Sequence, residues 1–167
     1  MKTKPKTDLK PAKASPGSVN FPLEMSVGYQ VRMTHRALQR YLQGKIEPYG
    51  VTLGMWYFLR ALWHEDGLTQ RELSHRIGTM EPTTLHAILT MERSGLVKRV
   101  RDKVDKRKIH IHLTPKGHKL KDELLPLAVS VVSTATKTLS SRDITRLLKM
   151  LSVVQSNIDL EGADADE

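Results

Sequence analysis

The chain contains no cysteine, which excludes disulfides, thiolate metal sites and thiol redox sensing. It also lacks any run of about 18 apolar residues, so no bilayer-spanning helix is expected. Lysines near the start are not followed by an apolar stretch, and the N-terminus does not read as a signal peptide. No glycine-rich phosphate loop, paired-carboxylate motif or ordered Ser, His and Asp set occurs. Catalytic residues are therefore assigned to none, and an enzyme is not the expectation. Of seven histidines, His110 and His112 share one strand face, but two imidazoles need further ligands and supporting groups to hold a metal. No metal ligands are assigned. These absences describe a cytoplasmic protein without a membrane partner, long enough at 167 residues for one core plus extensions.

Basic charge is in excess, with 27 Lys and Arg against 18 Asp and Glu and a net charge of +9. Its placement is more informative than its size. Residues 96–121 hold ten basic residues against only Asp102 and Asp105, whereas the last seven residues hold four acids and no basic residue. A concentrated basic patch attracts a polyanion, and phosphate neutralisation supplies sequence-independent affinity. Residues 1–20, with five lysines and three prolines, read as a flexible basic tail.

Residues 69–113 carry the strongest pattern. Thr69 and Glu72 have capping-box spacing. Leu68, Leu73 and Ile77 form an apolar stripe, and Gly78 ends the helix. A second helix opens at Glu81-Pro82, with proline tolerated in the first turn, and Gly95 closes it. Two short helices joined through a glycine form a helix-turn-helix. Segments 96–101 and 107–113 then read as strands. Ile109, Ile111 and Leu113 alternate with Lys108, His110 and His112 in period-2 fashion. The polar tip between the strands, residues 102–106, makes a hairpin, and the whole reads as a winged helix.

The remaining segments are helical. A first helix is expected from Leu23 to Glu47, with Val27, Val31, Leu38, Leu42 and Ile46 on one face and Pro48 and Gly50 at its end. Thr52 caps a second, Leu53 to His64, apolar almost all round and so buried. Thr114 and Pro115 start a long helix in which Pro126 should introduce a kink or a break. The last helix begins at Ser140 with Asp143 completing its cap. Its stripe of Ile144, Leu147, Leu148, Leu151, Val154 and Ile158 offers more apolar surface than one small domain buries. The fold class is thus mainly α with a small β-hairpin wing: a winged helix-turn-helix flanked by dimerisation helices. The expected divisions are a tail at 1–20, a helical dimerisation region at 21–50 and 115–160, the DNA-binding domain at 51–114 and an acidic tail at 161–167.

The chain resembles the MarR-type winged-helix transcriptional regulators from about residue 25 to 160. The matching residues are Leu68-Thr69-Gln70-x-Glu72-Leu73, Gly95-Leu96-Val97, the wing Asp102-x-x-Asp105-Lys106-Arg107, and Leu113-Thr114-Pro115-Lys116-Gly117. The resemblance implies a homodimer that represses by occluding a promoter and is released by a small molecule. It also implies that Arg107 enters the minor groove and that Asp105 orients it. Lacking cysteine, the chain departs from the family's peroxide-sensing branch.

Recognition of double-stranded DNA is expected from both parts of the motif. In the second helix Thr84, Ile88 and Met91 face the core, leaving Thr83, His86 and Thr90 for base edges, with Arg93 beyond them. Thr69, Gln70 and Arg71 would meet backbone phosphates, as would Lys103 and Lys106 beside Arg107. A two-fold dimer sets half-sites about 10 bp apart, giving a pseudo-palindromic operator. No cofactor is expected beyond a small-molecule effector. Trp56, Tyr57 and Arg60, with Arg32, His35 and Arg36 nearby, suit an aromatic acid or an aryl-CoA thioester. A metal-responsive regulator and an architectural DNA-binding protein without effector are the alternatives.

Overall fold

The computed structural model describes residues 21–163, with side chains described as far as Asp159. The basic segment 1–20 and the last four residues lie outside them. Two units meet between Ala37 and Leu38. In the first, a 3-10 turn at Leu23–Met25 precedes helix α1, Val27–Ile46. The expected single helix from Leu23 is therefore interrupted. Ser26 is extended, and its hydroxyl accepts from the Tyr29 amide, making the start of α1 at Val27.

The second unit begins on the last part of α1, which buries Leu42 and Ile46. Gly50, at φ 71°, turns the chain, and Thr52 caps helix α2, Leu53–His64, by accepting from the Met55 amide. Seven of the twelve α2 residues are buried. A short strand β1, Leu68–Thr69, leads into α3, Gln70–Ile77, and then α4, Glu81–Arg93. Strands β2, Val97–Arg101, and β3, Ile109–Leu113, form the wing, and α5, Pro115–Ala135, and α6, Ser141–Ala163, complete the order.

The sheet has three strands in the order β1-β3-β2, not the two expected. Leu68 pairs with Ile111 and Thr69 with His110. A two-residue strand is too short for alternation to reveal, and it exists only because β3 has a second edge to pair. Across the hairpin Val97 opposes Leu113 and Arg101 opposes Ile109. Helix α5 runs unbroken through Pro126. This side chain is exposed, so water can serve the carbonyl that proline leaves without a donor.

One core joins Leu42 and Ile46 of α1, the inner faces of α2, α3 and α4, the sheet residues Ile111 and Leu113, and Leu120, Leu124 and Val131 of α5. A polar seam crosses it. The Trp63 indole N–H donates to the Gly117 carbonyl at 2.9 Å, and Thr114 donates from its amide to Leu96 at 3.0 Å. A Cβ at Gly117 would overlap the Leu96 carbonyl oxygen, so glycine is what lets α5 start this close to the end of α4. By contrast none of the described side chains of α6 is fully buried. Leu147, Leu148, Met150, Val153 and Ile158 are all exposed in the single chain.

Two substitutions test this packing. Thr84 is completely buried, and its hydroxyl has no hydrogen-bond partner among the described residues. The near-isosteric Thr84→Val should raise stability by about 1 kcal/mol, whereas Gly117→Ala should lower it by roughly 1–3 kcal/mol through overpacking. Equilibrium urea unfolding measures both, and a lower midpoint for Thr84→Val would show that the hydroxyl is satisfied in solution.

Candidate nucleic-acid interface

Helix α3 begins in a complete capping box. The Thr69 amide and hydroxyl donate to Glu72 Oε2 at 2.7 and 2.8 Å, and the Glu72 amide donates back to Thr69 Oγ1 at 3.3 Å. These bonds, led by the one from the Thr69 backbone, hold the Glu72 carboxyl below its usual range, and positive charge at His110 and Lys108 adds to the effect. The Thr69 hydroxyl donates to the carboxylate at the rim of this surface. Its proton is already committed to the cap. The Gln70 side chain donates to the Glu81 carbonyl at 3.3 Å, tying the starts of α3 and α4 together. Arg71 stays exposed.

Helix α4 buries Thr84, Ile88 and Met91, as the spacing requires. At 100° per residue the direction opposite that face is occupied by Pro82, His86, Leu89 and Arg93. Thr83 and Thr90 lie to one side of it. With Thr52, Met55, Tyr57, Phe58 and Ile77 they line an apolar cleft of about 350 Å³ between α2 and α4. Thr90 also donates to the His86 carbonyl at 2.9 Å, and Arg93 folds along its own helix with Nε 3.2 Å from the Leu89 carbonyl. His86 and Arg93 are therefore the exposed groups nearest the middle of the outer face, and His86 also lines the cleft. Reading α4 as two opposed faces missed the flank that turns toward α2.

The wing tip is built from its two acids. Asp102 Oδ1 accepts from the amides of Val104 and Asp105, both at 2.8 Å. Asp105 Oδ1 accepts from the Arg107 amide and from its Nε, each at 3.1 Å. Amide donation from Asp105 and Val104 holds the Asp102 carboxyl below its ordinary value, and bonds from the Arg107 side chain and amide do the same for Asp105. Both stay ionised within the most basic stretch of the chain. The Arg107 side chain is nonetheless 91% exposed, so its carboxylate partner sets the guanidinium's direction without covering it. Lys103, Lys106 and Lys108 are exposed beside it.

A shallow cleft of about 520 Å³ links the two halves of the motif. Its walls are the starts of α3 and α4 together with Arg107, Lys108 and Ile109. Lys108 was not singled out from the sequence, where it reads as one of many basic residues. Farther back, Arg99 pairs with Glu92 at 2.9 Å and pins β2 to the end of α4.

The expected effector residues are distributed differently. Trp56 is 3% exposed, with Trp63 edge-on at 5.8 Å and the Arg60 guanidinium 5.6 Å from its ring centre. Its ring is a core surface already covered, which corrects its expected role as a stacking platform. Tyr57 and Arg60 are exposed and border a concavity with Arg76 and Ile77. Arg32, His35 and Arg36 belong to the first unit and are exposed there. Among the described residues no group of three or more histidines and carboxylates is placed to hold a metal ion. No described helix is long and apolar enough to cross a membrane.

Comparison with known proteins bears on this geometry. The family model described as "MarR family" matches residues 51–109. A curated relative, the HTH-type transcriptional regulator TtmR of Methylorubrum extorquens (strain PA1), is 29% identical over 72% of this chain, and the match spans 62% of that regulator's length. The crystal structure of a MarR transcriptional regulator from Methanosarcina mazei Go1 superposes with a TM-score of 0.73 at 31% identity, covering 78% of this chain and 94% of that one. The MepR–DNA complex of S. aureus shares the fold, with a TM-score of 0.75 at 24% identity over 80% and 98% of the two chains.

The capping box makes a pH-dependent prediction. Because the Glu72 carboxyl is depressed in the folded chain, its contribution is complete above the ordinary carboxylate range and is lost as pH falls through its folded value. Glu72→Ala should therefore destabilise the chain at neutral pH and match the parent in acid. Urea midpoints for the two proteins at about pH 7 and about pH 3, either side of the ordinary value near 4.3, decide it. A gap of equal size in acid would mean that the carboxylate charge is not the cause.

Proposed function

Because the chain belongs to the MarR family, we propose that it is a DNA-binding transcription regulator. It acts as a homodimer on a pseudo-palindromic operator, as a repressor released by a small aromatic acid or aryl-CoA thioester. The observation that carries the DNA-binding part is the Asp105–Arg107 pair on the exposed wing tip. A guanidinium held by one carboxylate and otherwise open to solvent suits a narrow minor groove, where focused negative potential is read as groove width. His86, exposed on the outer side of α4, is positioned to donate to a guanine edge in the major groove. Arg71, Lys103, Lys106 and Lys108 supply phosphate neutralisation.

The uncovered apolar face of α6 supports dimerisation, since a two-fold axis buries the same patch of both copies. Effector release is supported by the cleft between α2 and α4. Its lining is mostly apolar and includes Thr83, His86 and Thr90, so a ligand seated there touches the reading helix directly. Tyr57 borders both this cleft and the concavity with Arg60 and Arg76. That combination suits a ring beside a carboxylate. Such a ligand acts by binding the DNA-incompetent arrangement more tightly.

Fluorescence anisotropy with the DNA upstream of the protein's own gene tests this reading, against scrambled competitor and with a panel of aromatic acids and aryl-CoA thioesters. Specific binding released by one compound class is expected, and release should weaken in Arg60→Ala. Equal binding to scrambled DNA would remove the operator. Lys106→Ala should weaken all sequences alike and lower the salt slope by about 1, whereas His86→Ala should cost about 1–3 kcal/mol at a single base position. Identical behaviour of these two variants would undo the division of roles.

A further inference from the structure

His110 is the second residue of β3, the central strand of the wing sheet, opposite Thr69 of β1 and Val100 of β2. Its ring is partly buried, and both nitrogens meet oxygen. Nδ1 lies 2.7 Å from the Gly67 carbonyl and Nε2 lies 3.2 Å from Asp102 Oδ2. A backbone carbonyl only accepts, so Nδ1 must carry a proton. An ionised carboxylate also only accepts, so Nε2 must carry one as well. Asp102 is ionised because the Val104 and Asp105 amides already hold it so. A neutral imidazole cannot make both bonds, whichever tautomer it adopts, and would turn a lone pair toward one of two oxygens.

We propose that His110 is a proton-dependent positioning residue for the wing, which as an imidazolium latches the tip to the turn before β1 and so makes DNA binding pH-regulated. The inference rests on the reading of the wing as a DNA contact. The latch acts through a short relay. His110 holds Asp102, Asp102 holds the amides of Val104 and Asp105, and Asp105 holds Arg107. When the ring loses a proton, the short bond to Gly67 is kept, and the Nε2 lone pair then faces the Asp102 carboxylate. Asp102 is pushed from its place, and the loop that aims Arg107 loosens.

Charged groups of both signs surround the ring. Asp102 contacts it directly, and Glu72 at the start of α3 senses its charge. On the same strand His112 lies 6.4 Å away, centre to centre, and its Nδ1 is bonded to Asp66, so a third carboxylate stands behind it. Lys108 opposes these as the neighbouring cation, and the facing residues of β1 and β2, Thr69 and Val100, are uncharged. Bound phosphates add to the negative side, so DNA and protons should bind cooperatively.

The test uses the full chain at fixed ionic strength. Imidazole nitrogen NMR of the free protein reports the protonation of His110, and amide exchange of Val104, Asp105 and Arg107 reports the order of the tip. Anisotropy with operator DNA at about pH 6 and about pH 8, either side of the ordinary histidine value of about 6.5, reports function. The wild type should bind roughly three- to tenfold more weakly at the higher pH, the size of one partly exposed charge-assisted bond. Tip amides should exchange faster over the same interval. His110→Gln and Asp102→Asn should both lose the pH dependence, and His112→Gln should retain it. A slope that survives in His110→Gln, or a ring found neutral at about pH 6 with its tip amides protected, overturns the latch. A chain that binds no DNA refutes the regulatory reading, yet the NMR and exchange measurements still decide whether the latch exists.

Discussion

Helix α2 has almost no polar face, and the second unit is arranged to cover it. Seven of its residues are buried, more than in any other described helix, and burial of apolar area contributes roughly 25 cal/mol per Å². Its neighbours are what sequence brings within reach: the end of α1 before it, the helix-turn-helix after it, and α5 returning from the wing. The one indole N–H pointing into that packing is satisfied by Gly117, and a buried donor left unmade would cost about 1–3 kcal/mol. Trp63 thus specifies where α5 starts as well as filling volume. The missing Cβ at Gly117 and the cap at Thr114 follow from that same joint.

With the core so placed, the wing and reading helix are held by polar contacts at its edge. The chain is most basic here, and self-repulsion would splay a tip made only of lysine and arginine. Asp102 and Asp105 counter this, each bonded to backbone amides as well as to a side chain, His110 for the first and Arg107 for the second. Individually such exposed pairs contribute little stability. Their effect is geometric, because a carboxylate tied to the loop fixes the direction of the arginine beside it. Glu92 does the same for Arg99 at the other end of the hairpin, and Glu72 closes α3. Asp102, Asp105, Glu92 and Glu72 thus orient this surface, and lysine and arginine still outnumber the acids on it.

Much of this was legible in the residues. Capping patterns at Thr52, Thr69 and Thr114 marked three helix starts because the cap is a local bond between residues three apart. Period-2 alternation marked β3, and the near-continuous apolar run marked α2 as buried. The winged-helix class, with its small sheet and six helices, followed from those local rules. The fold expectation and the family resemblance agree with the solved relatives.

Less legible was anything that depends on two distant segments meeting. Strand β1 has only two residues and no pattern of its own, so only the free edge of β3 made it a strand. Thr83 and Thr90 lie on a surface of α4 whose exposure was visible, but the approach of α2 that turned it into a cleft was not. Trp56 could have been platform or core until its burial beside Arg60 and Trp63 was seen. His110 carried the alternation of a solvent-facing strand residue, and its two oxygen partners come from positions 67 and 102. Local bonds and periodicity, which act over a few residues, thus determined which elements form. Which side chains are covered, tethered or left free was decided by tertiary contacts, because burial and hydrogen-bond partners belong to a pair of surfaces and not to either strand or helix alone.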